Sequence, residues 1–338
     1  MINSTFQDTV YTSPYVYIIG VAGDSGSGKT TFTSAIVNIF GSDLVSTITL
    51  DDYHIYDREE RARLGVTPLS PKANDLDRLA RDIALLKQGK PIQKPVYSHD
   101  KGTIEEPVLF HPNRFIILEG LHPFATKTLL QHIDYTIFVD PDNDVKYEWK
   151  LRRDVSGRNY QPEEVLKEIQ VRQTDYEHFV LPQRKVANTI IRIGYSEYGP
   201  ALGSTRNVYR IVLAMKPPET CLDDIELNID LCSLFARSSH DFRIECTSTD
   251  IDERRMRSLI VDGELMHETI RKIELNIEAQ TGIHPINLFS GKEVISGSDL
   301  ARLIISWQII NHWILTNIRH TRKTDGGESI TNSHTTNV

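Results

Sequence analysis

The fold of this chain is decided by the stretch Gly23-Asp24-Ser25-Gly26-Ser27-Gly28-Lys29-Thr30, which satisfies the G-x-x-x-x-G-K-[ST] pattern of a phosphate-binding loop in full. An apolar run at 15–21 precedes it and predicts a buried strand, and residues 31–40 carry apolar side chains at helical spacing. Such glycines let the backbone aim N–H groups at phosphate oxygens, and the helix adds the positive end of its dipole. We expect Lys29 to reach the β- and γ-phosphates of a nucleotide and Thr30 to offer its hydroxyl to Mg²⁺. The alternative, a chance glycine-rich turn, does not account for the flanking strand and helix.

Composition limits the classes of protein that fit. The chain has 338 residues, 39% hydrophobic and 25% charged, and contains no apolar segment long enough to cross a membrane. Its net charge of −8 argues against nucleic acid as the main partner, although local cations can still bind a small anion. Residues 1–13 lack the features of a signal peptide, so we expect a cytoplasmic protein with no membrane partner. Cys221, Cys232 and Cys246 show no C-x-x-C spacing, which indicates neither a zinc site nor a disulfide framework.

Acidic residues follow two further predicted strands. Asp51 and Asp52 follow the strand at 44–50, and Glu119 follows the fully apolar strand at 115–118. The alternation of strands and helices implies parallel strands, whose carboxyl ends meet at one edge of the sheet, where ligands bind. The two aspartates could instead cap a helix or form a turn. Beside a phosphate loop we favour one carboxylate of this pair as the base that accepts a proton from an attacking hydroxyl, and Glu119 as a carboxylate that holds Mg²⁺.

A cationic helix follows the fourth predicted strand. Lys150, Arg153 and Asp154 are spaced i, i+3 and i+4, so they share one face, and Arg158 lies just beyond a break predicted near Gly157. A helix with this many cations is often only a solvated surface. Its position favours a mobile lid over about 142–180, because small-molecule kinases use such a segment to bring arginines onto the transferring phosphoryl group.

The predicted fold class is α/β: a P-loop kinase with a mostly parallel sheet flanked by helices, extended by a C-terminal α+β segment. We place the kinase core at 14–205 and the extension at 206–319, where added strands could pair two subunits. The extension carries no catalytic motif. Its predicted strands are at 208–215, 225–231 and 256–261, and its predicted helices are at 264–281 and 298–319. Residues 1–13 and the Thr- and Ser-rich tail at 321–338 are predicted to be disordered.

The sequence resembles the phosphoribulokinase branch of the P-loop phosphoribulokinase/uridine kinase family, nearer the plant, cyanobacterial and archaeal forms than the short bacterial form. The combination of His54 and Arg58 after the acidic pair with Glu119-Gly120-Leu121-His122 is more specific than the phosphate loop alone. The other segments that carry the resemblance are Pro71-Lys72-Ala73-Asn74, Lys94-Pro95-Val96-Tyr97-Ser98-His99, Arg153-Asp154 and Arg158.

The resemblance implies Mg²⁺- and ATP-dependent phosphorylation of the 1-hydroxyl of ribulose 5-phosphate, which supplies ribulose 1,5-bisphosphate for carbon dioxide fixation by Rubisco, in a homodimer. It also implies that Asp51 is the general base, that Glu119 helps hold Mg²⁺, and that Lys150, Arg153 and Asp154 act on the transferring group. The implied contacts to the sugar phosphate are His54, Arg58, Tyr97, His99 and Arg158. A substrate that is already a dianion needs cations of its own, and Arg58 can bind phosphate bidentately.

One departure concerns regulation. The plant enzymes carry a cysteine inside the phosphate loop and another just before the acidic pair, and a disulfide between them stops activity. This chain has Ser27 and Thr49 at those positions, so it cannot form that disulfide.

Two alternatives stay open on sequence grounds. A uridine kinase shares the phosphate loop, the Lys-Pro-Val-Tyr segment and the Leu-Arg-Arg-Asp lid, but has no reason to place both His54 and Arg58 near the acceptor. A nucleotide-binding regulator without catalysis is the other alternative. It has no need for a base such as Asp51.

Overall fold

A computed structural model of the chain describes residues 6–158, 161–198, 208–216, 242–281, 289 and 291–325. Within these residues the eleven strands are β1 (Tyr17–Gly23), β2 (Val45–Thr49), β3 (Ile92–Ser98), β4 (Thr103–Phe110), β5 (Phe115–Gly120), β6 (Tyr135–Pro141), β7 (Thr189–Tyr195), β8 (Tyr209–Met215), β9 (Phe242–Ile251), β10 (Arg254–Met266) and β11 (Val294–Ser296). The α-helices of the same described part are α1 (Phe6–Thr12), α2 (Lys29–Phe40), α3 (Arg58–Leu64), α4 (Leu76–Lys87), α5 (Lys127–Leu130), α6 (Asn143–Arg158), α7 (Pro162–Asp175), α8 (His267–Thr281) and α9 (Gly297–Asp325).

The main sheet has the order β2-β5-β1-β6-β7-β8-β10-β11, and β9 pairs with the other side of β10. The five neighbouring strands β2, β5, β1, β6 and β7 run parallel to one another. Strands β8, β10, β11 and β9 add to the sheet in antiparallel fashion. The hairpin β3–β4 stands apart as a two-stranded sheet. The predicted fold class, an α/β protein with a mostly parallel sheet flanked by helices, is confirmed.

Strand β1 sits at the centre of the parallel part and is fully buried, because helices cover both faces of the sheet. Ile19 and Val21 pack into the core that contains α2 and α9, whereas Ile18 packs into the opposite core with α4. This burial explains the unbroken apolar run in the sequence. It also holds the carboxyl ends of β1, β5 and β2 side by side, with Val21 and Thr49 both level with Glu119 of β5.

Several predicted boundaries differ from the structure. The predicted disorder of residues 1–13 is wrong for Phe6–Thr12, which form α1 because Val10 is completely buried in the core beside β1 and Arg114 donates to the Tyr11 carbonyl at 3.0 Å. Helix α9 continues to Asp325, past the predicted start of the disordered tail. Helix α6 continues through Gly157 to Arg158 without the predicted break.

Some predictions fall on other parts of the chain. The predicted strand at 225–231, Cys221 and Cys232 lie outside the described residues. Cys246 lies on β9 as a free, exposed thiol. Across the described ranges, no helix has the length and apolar character needed to span a bilayer.

Candidate active site

A cavity of about 620 Å³ opens at the carboxyl ends of β1, β2 and β5. It gathers most of the residues singled out from the sequence. They are Ser25, Gly26, Ser27, Gly28, Lys29, Thr30, Asp51, His54, Arg58, Tyr97, His99, Glu119, Arg153 and Asp154. Gly23, Asp24 and Lys150 do not line it, and the side chain of Arg158 lies outside the described residues.

The phosphate loop joins β1 to α2 with the backbone that its sequence predicts. Gly26 and Gly28 have φ values of 79° and 86°, in the left-handed region that favours glycine. Lys29 Nζ donates to the carbonyl oxygens of Gly23 at 3.1 Å and Asp24 at 2.7 Å, so its ammonium lies over the loop. Burial lowers the pKa of Lys29. Gly23 and Asp24 therefore shape the loop rather than face the cavity, and the Asp24 carboxylate is held by Lys146 Nζ at 3.2 Å.

Oxygen atoms suited to a hard cation meet at the first turn of α2. Thr30 Oγ1 donates to Glu119 Oε1 at 2.7 Å, and Thr33 Oγ1 donates to Glu119 Oε2 at 2.7 Å. No group of three His, Cys, Asp or Glu that could hold a metal occurs within the described ranges. Mg²⁺ in a kinase needs no such cage, since substrate phosphates and waters complete its coordination. The hydroxyl of Thr30 and the carboxylate of Glu119 thus fit the expected magnesium site.

Asp51 lies in a short 3₁₀-helix, Leu50–Tyr53, that follows β2. This turn packs close to β5 because Gly120 has no side chain: a Cβ there would lie 2.6 Å from Leu50 Cβ. The Asp51 carboxylate is 3.2 Å from His99 Nε2 and 3.8 Å from His54 Nε2. Burial alone would raise the pKa of Asp51, but the hydrogen bond from His99 and the charges of both histidines and Lys29 lower it to about 2. The carboxylate is therefore ionised at neutral pH and faces the cavity.

Asp52 plays a different part. Its carboxylate accepts from the backbone N–H of Tyr97 at 2.9 Å and pairs with Lys94 Nζ. Both partners belong to β3, so Asp52 fastens the hairpin β3–β4 to the end of β2. The two adjacent carboxylates have different partners because the 3₁₀-helix turns their side chains in different directions.

Cations surround the side of the cavity beyond Asp51. Arg58, at the start of α3, donates to the carbonyl oxygen of His99 at 2.5 Å. Arg61 also lines the cavity, although it was not predicted as a site residue, and it donates to the Tyr97 hydroxyl at 2.8 Å. Arg61 follows Arg58 by three residues, which places both side chains on one face of α3, and this spacing was the signal available in the sequence. Arg172 of α7 also lines the cavity, next to Glu168 and Lys150, and no pattern in the sequence indicated it.

The lid residues form a second group near the phosphate loop. Arg153 binds Asp154 through Nε at 2.7 Å and through Nη2 at 3.1 Å, and both its Nη atoms lie 3.3 Å from Ser25 Oγ. Lys150 is buried, with its Nζ 3.8 Å from Glu168 Oε2 of α7. Burial and the nearby Arg172 lower the pKa of Lys150. Arg153 thus reaches the loop, whereas Lys150 joins α6 to α7.

We predict that the stability of the protein depends on pH through the buried side chain of His122. It is 2% exposed beside Asp51, and burial lowers its pKa to about 4, below the 6.5 of an exposed histidine. The unfolded chain therefore binds a proton between pH 6.5 and 4 that the folded chain does not, so stability falls as the pH falls through this window. We expect the free energy of unfolding, measured with urea, to lose about 3 kcal/mol from this group between those pH values. His122→Leu should remove this part of the pH dependence; an unchanged dependence would contradict the assignment.

The sequence places this arrangement in a known family. Residues 18–197 match the model described as "Phosphoribulokinase / Uridine kinase family". The chain belongs to this family. The matched segment contains every residue of the cavity described above.

Curated relatives come from both branches of the family. The chain is 38% identical over 178 residues to a phosphoribulokinase of Synechocystis, covering 53% of this chain and 54% of the relative. It is 34% identical to the chloroplastic phosphoribulokinase of Chlamydomonas reinhardtii, over 62% of this chain and 60% of the relative. It is also 35% identical to a uridine kinase of Staphylococcus epidermidis, over 53% of this chain and 88% of the relative. The matches span about half to three fifths of the length of these phosphoribulokinases.

A solved structure shows that the likeness of fold extends past the matched segment. The phosphoribulokinase of Rhodobacter spheroides superimposes with a TM-score of 0.53 over 88% of this chain and 100% of that chain, at 18% identity. The C-terminal strands and helices therefore belong to the shared architecture.

Proposed function

We propose that this protein transfers the γ-phosphoryl group of ATP to the 1-hydroxyl of ribulose 5-phosphate, with Mg²⁺, and so forms ribulose 1,5-bisphosphate and ADP for fixation of carbon dioxide by Rubisco. The observation that carries the proposal is the pair of arginines Arg58 and Arg61, which line the cavity beside the residues around Asp51: Arg58 donates to the His99 carbonyl oxygen and Arg61 donates to the Tyr97 hydroxyl. The 38% identity to the phosphoribulokinase of Synechocystis supports the same choice of substrate.

The proposed reaction assigns one task to each part of the cavity. Loop N–H groups and Lys29 would bind the nucleotide phosphates, and Thr30 with Glu119 would hold Mg²⁺, which neutralises charge on the transferring group. Asp51 would accept the proton of the 1-hydroxyl as its oxygen attacks phosphorus, and the bond from phosphorus to the oxygen of ADP breaks. The hydrogen bond from His99 and the charge of Lys29 help to lower the pKa of Asp51, so the base is ionised before the substrate arrives.

The acceptor carries its own phosphate at the opposite end of the sugar. A dianion in a partly enclosed cavity needs fixed cations, and guanidinium groups bind phosphate oxygens in pairs. Arg58 and Arg61 both come from α3, so one helix would supply two guanidinium groups to that phosphate. His54, Tyr97 and His99 line the same cavity in contact with one another, and we assign them to the sugar.

Turnover distinguishes this proposal from its rivals. We expect release of ADP with ribulose 5-phosphate and none with uridine. Phosphorylation of uridine at a comparable rate would favour the uridine kinase alternative, to which the match over 88% of the S. epidermidis enzyme gives weight. Binding of ATP without transfer to any pentose phosphate would instead indicate a regulator.

Arg61→Met should raise the KM for ribulose 5-phosphate by about tenfold or more, because loss of a charge-assisted hydrogen bond to phosphate costs roughly 1.5–3 kcal/mol. The KM for ATP should stay within about twofold. Arg58→Ala should act in the same direction. Arg63→Met is the matched control, since Arg63 lies on the same helix, is exposed and does not line the cavity. An effect of Arg61→Met confined to ATP would show that the residue serves the other ligand.

The homodimer implied by the resemblance and the cytoplasmic location stay predictions. Sedimentation of the full chain measures the oligomeric state. Strand β9 ends the sheet in the described residues, so we expect two subunits to pair along its free edge.

A further inference from the structure

The phosphate loop contains an acidic residue, Asp24, although such a loop binds anions. Only 17% of the Asp24 side chain is exposed. Its Oδ1 accepts from the backbone N–H of Ser25 at 2.7 Å, and its Oδ2 lies 3.2 Å from Lys146 Nζ. Like charges repel, so a carboxylate at this position weakens phosphate binding unless a cation neutralises it.

Lys146 is held beside Asp24 by two parts of the predicted lid. It lies in the first turn of α6, and 5% of its side chain is exposed. Its Nζ also lies 4.5 Å from the centroid of the Tyr176 ring, in the π-helical turn that follows α7. The Tyr176 hydroxyl donates to Asp140 Oδ1, at the end of β6, at 3.3 Å. Lys146 therefore lies where the phosphate loop meets both ends of the lid.

The charge of Asp24 acts on cations that line the cavity. Burial lowers the pKa of Lys29, and the carboxylates of Glu119 and Asp24 oppose this lowering. Burial also lowers the pKa of Arg172, and the carboxylates of Glu168 and Asp24 oppose it there. An Asp24 carboxylate without a counter-ion would therefore compete with phosphate for the same cations.

Lys146 itself does not line the cavity, whereas Arg153, two turns further along α6, does. We propose that Lys146 is a positioning residue that cancels the charge of Asp24, and that the phosphate loop binds polyphosphate tightly only when this ion pair is formed. The inference rests on the proposed binding of nucleotide phosphates by the loop, but not on the identity of the acceptor.

The direction of the effect separates this role from that of a mechanical brace between loop and lid. Lys146→Met keeps most of the side chain's length and leaves Asp24 charged. We expect calorimetry with Mg²⁺ to show about a tenfold or greater loss of affinity for inorganic tripolyphosphate and for ADP. Asp24→Asn removes the anion and keeps an oxygen for the Ser25 N–H, so it should bind both ligands at least as tightly as the wild type.

The double variant Asp24→Asn, Lys146→Met removes both charges, so its affinities should return to within about threefold of the wild type. Lys167→Met is the matched control, because Lys167 is exposed on α7 and does not line the cavity. A brace would instead give similar losses for Asp24→Asn and Lys146→Met and no recovery in the double variant. That result, or unchanged affinity of Lys146→Met, would overturn the proposal.

A buried carboxylate without its cation also destabilises the fold, so each variant's melting temperature is measured. Should Lys146→Met fail to fold, the double variant decides: affinity within about threefold of the wild type supports the proposal, and a larger loss overturns it. These measurements contain no acceptor. Failure of the proposed function would appear separately, as a wild-type protein that binds ADP but does not phosphorylate ribulose 5-phosphate.

Discussion

Asp51→Asn is expected to lower kcat by about 10³-fold, within the range that a positioned general base contributes. The amide has the shape of the carboxylate but cannot accept the proton of the attacking hydroxyl. Binding of ADP, measured by calorimetry, should stay within about twofold, because Asp51 belongs to the acceptor side of the cavity. The pKa of Asp51 is about 2, so its carboxylate stays ionised well below neutral pH. A loss of activity just below neutral pH must therefore come from other groups.

The neighbouring carboxylate provides the control for this prediction. Asp52→Asn keeps an oxygen that can accept from the Tyr97 N–H and weakens only the pair with Lys94. We expect a lower melting temperature and a much smaller loss of kcat than for Asp51→Asn. Equal losses in the two variants, or an active Asp51→Asn enzyme, would show that the proton goes elsewhere.

The sequence predicted the sheet and the loop because both depend on local patterns. The apolar run of β1, the glycines of the loop and the acidic residues after β2 and β5 are each visible in a short window. Parallel strands then bring their carboxyl ends together without further information. For the same reason Thr30 and Glu119, distant in sequence, meet within hydrogen-bond distance.

Other features depend on tertiary packing and were missed. No local pattern distinguishes Asp51 from Asp52, and only the resemblance to the family selected Asp51, since the difference is the direction in which one 3₁₀-helix turns each side chain. Arg172 faces the cavity only because α7 folds back against α6, with Glu168 next to Lys150. Helix α1 is ordered by burial of Val10 against the core, which its polar surroundings in the sequence conceal.

Arg153→Met is expected to lower kcat by about 10³-fold, because an arginine on the transferring phosphoryl group contributes on the order of 10³ to 10⁵ in rate in GTPases. The guanidinium lies between Asp154 and Ser25 of the loop, so it is placed to neutralise charge that develops between ADP and the acceptor. Because this charge is greatest in the transition state, the KM values for both substrates should change by less than about tenfold. Steady-state kinetics with each substrate varied in turn measures the difference.

Two further variants separate chemistry from folding. The Asp154 carboxylate is buried, so Arg153→Met also weakens the fold, whereas Arg153→Lys keeps a cation beside it. A single ammonium cannot bind Asp154 and the phosphoryl group together as a planar guanidinium can. Arg153→Lys should therefore have a normal melting temperature but a low kcat. Arg152→Met is the matched control, because Arg152 is exposed on the same helix and pairs only with Glu148 in the described structure. Full activity of Arg153→Lys would mean that Arg153 holds the lid together and takes no part in the transfer.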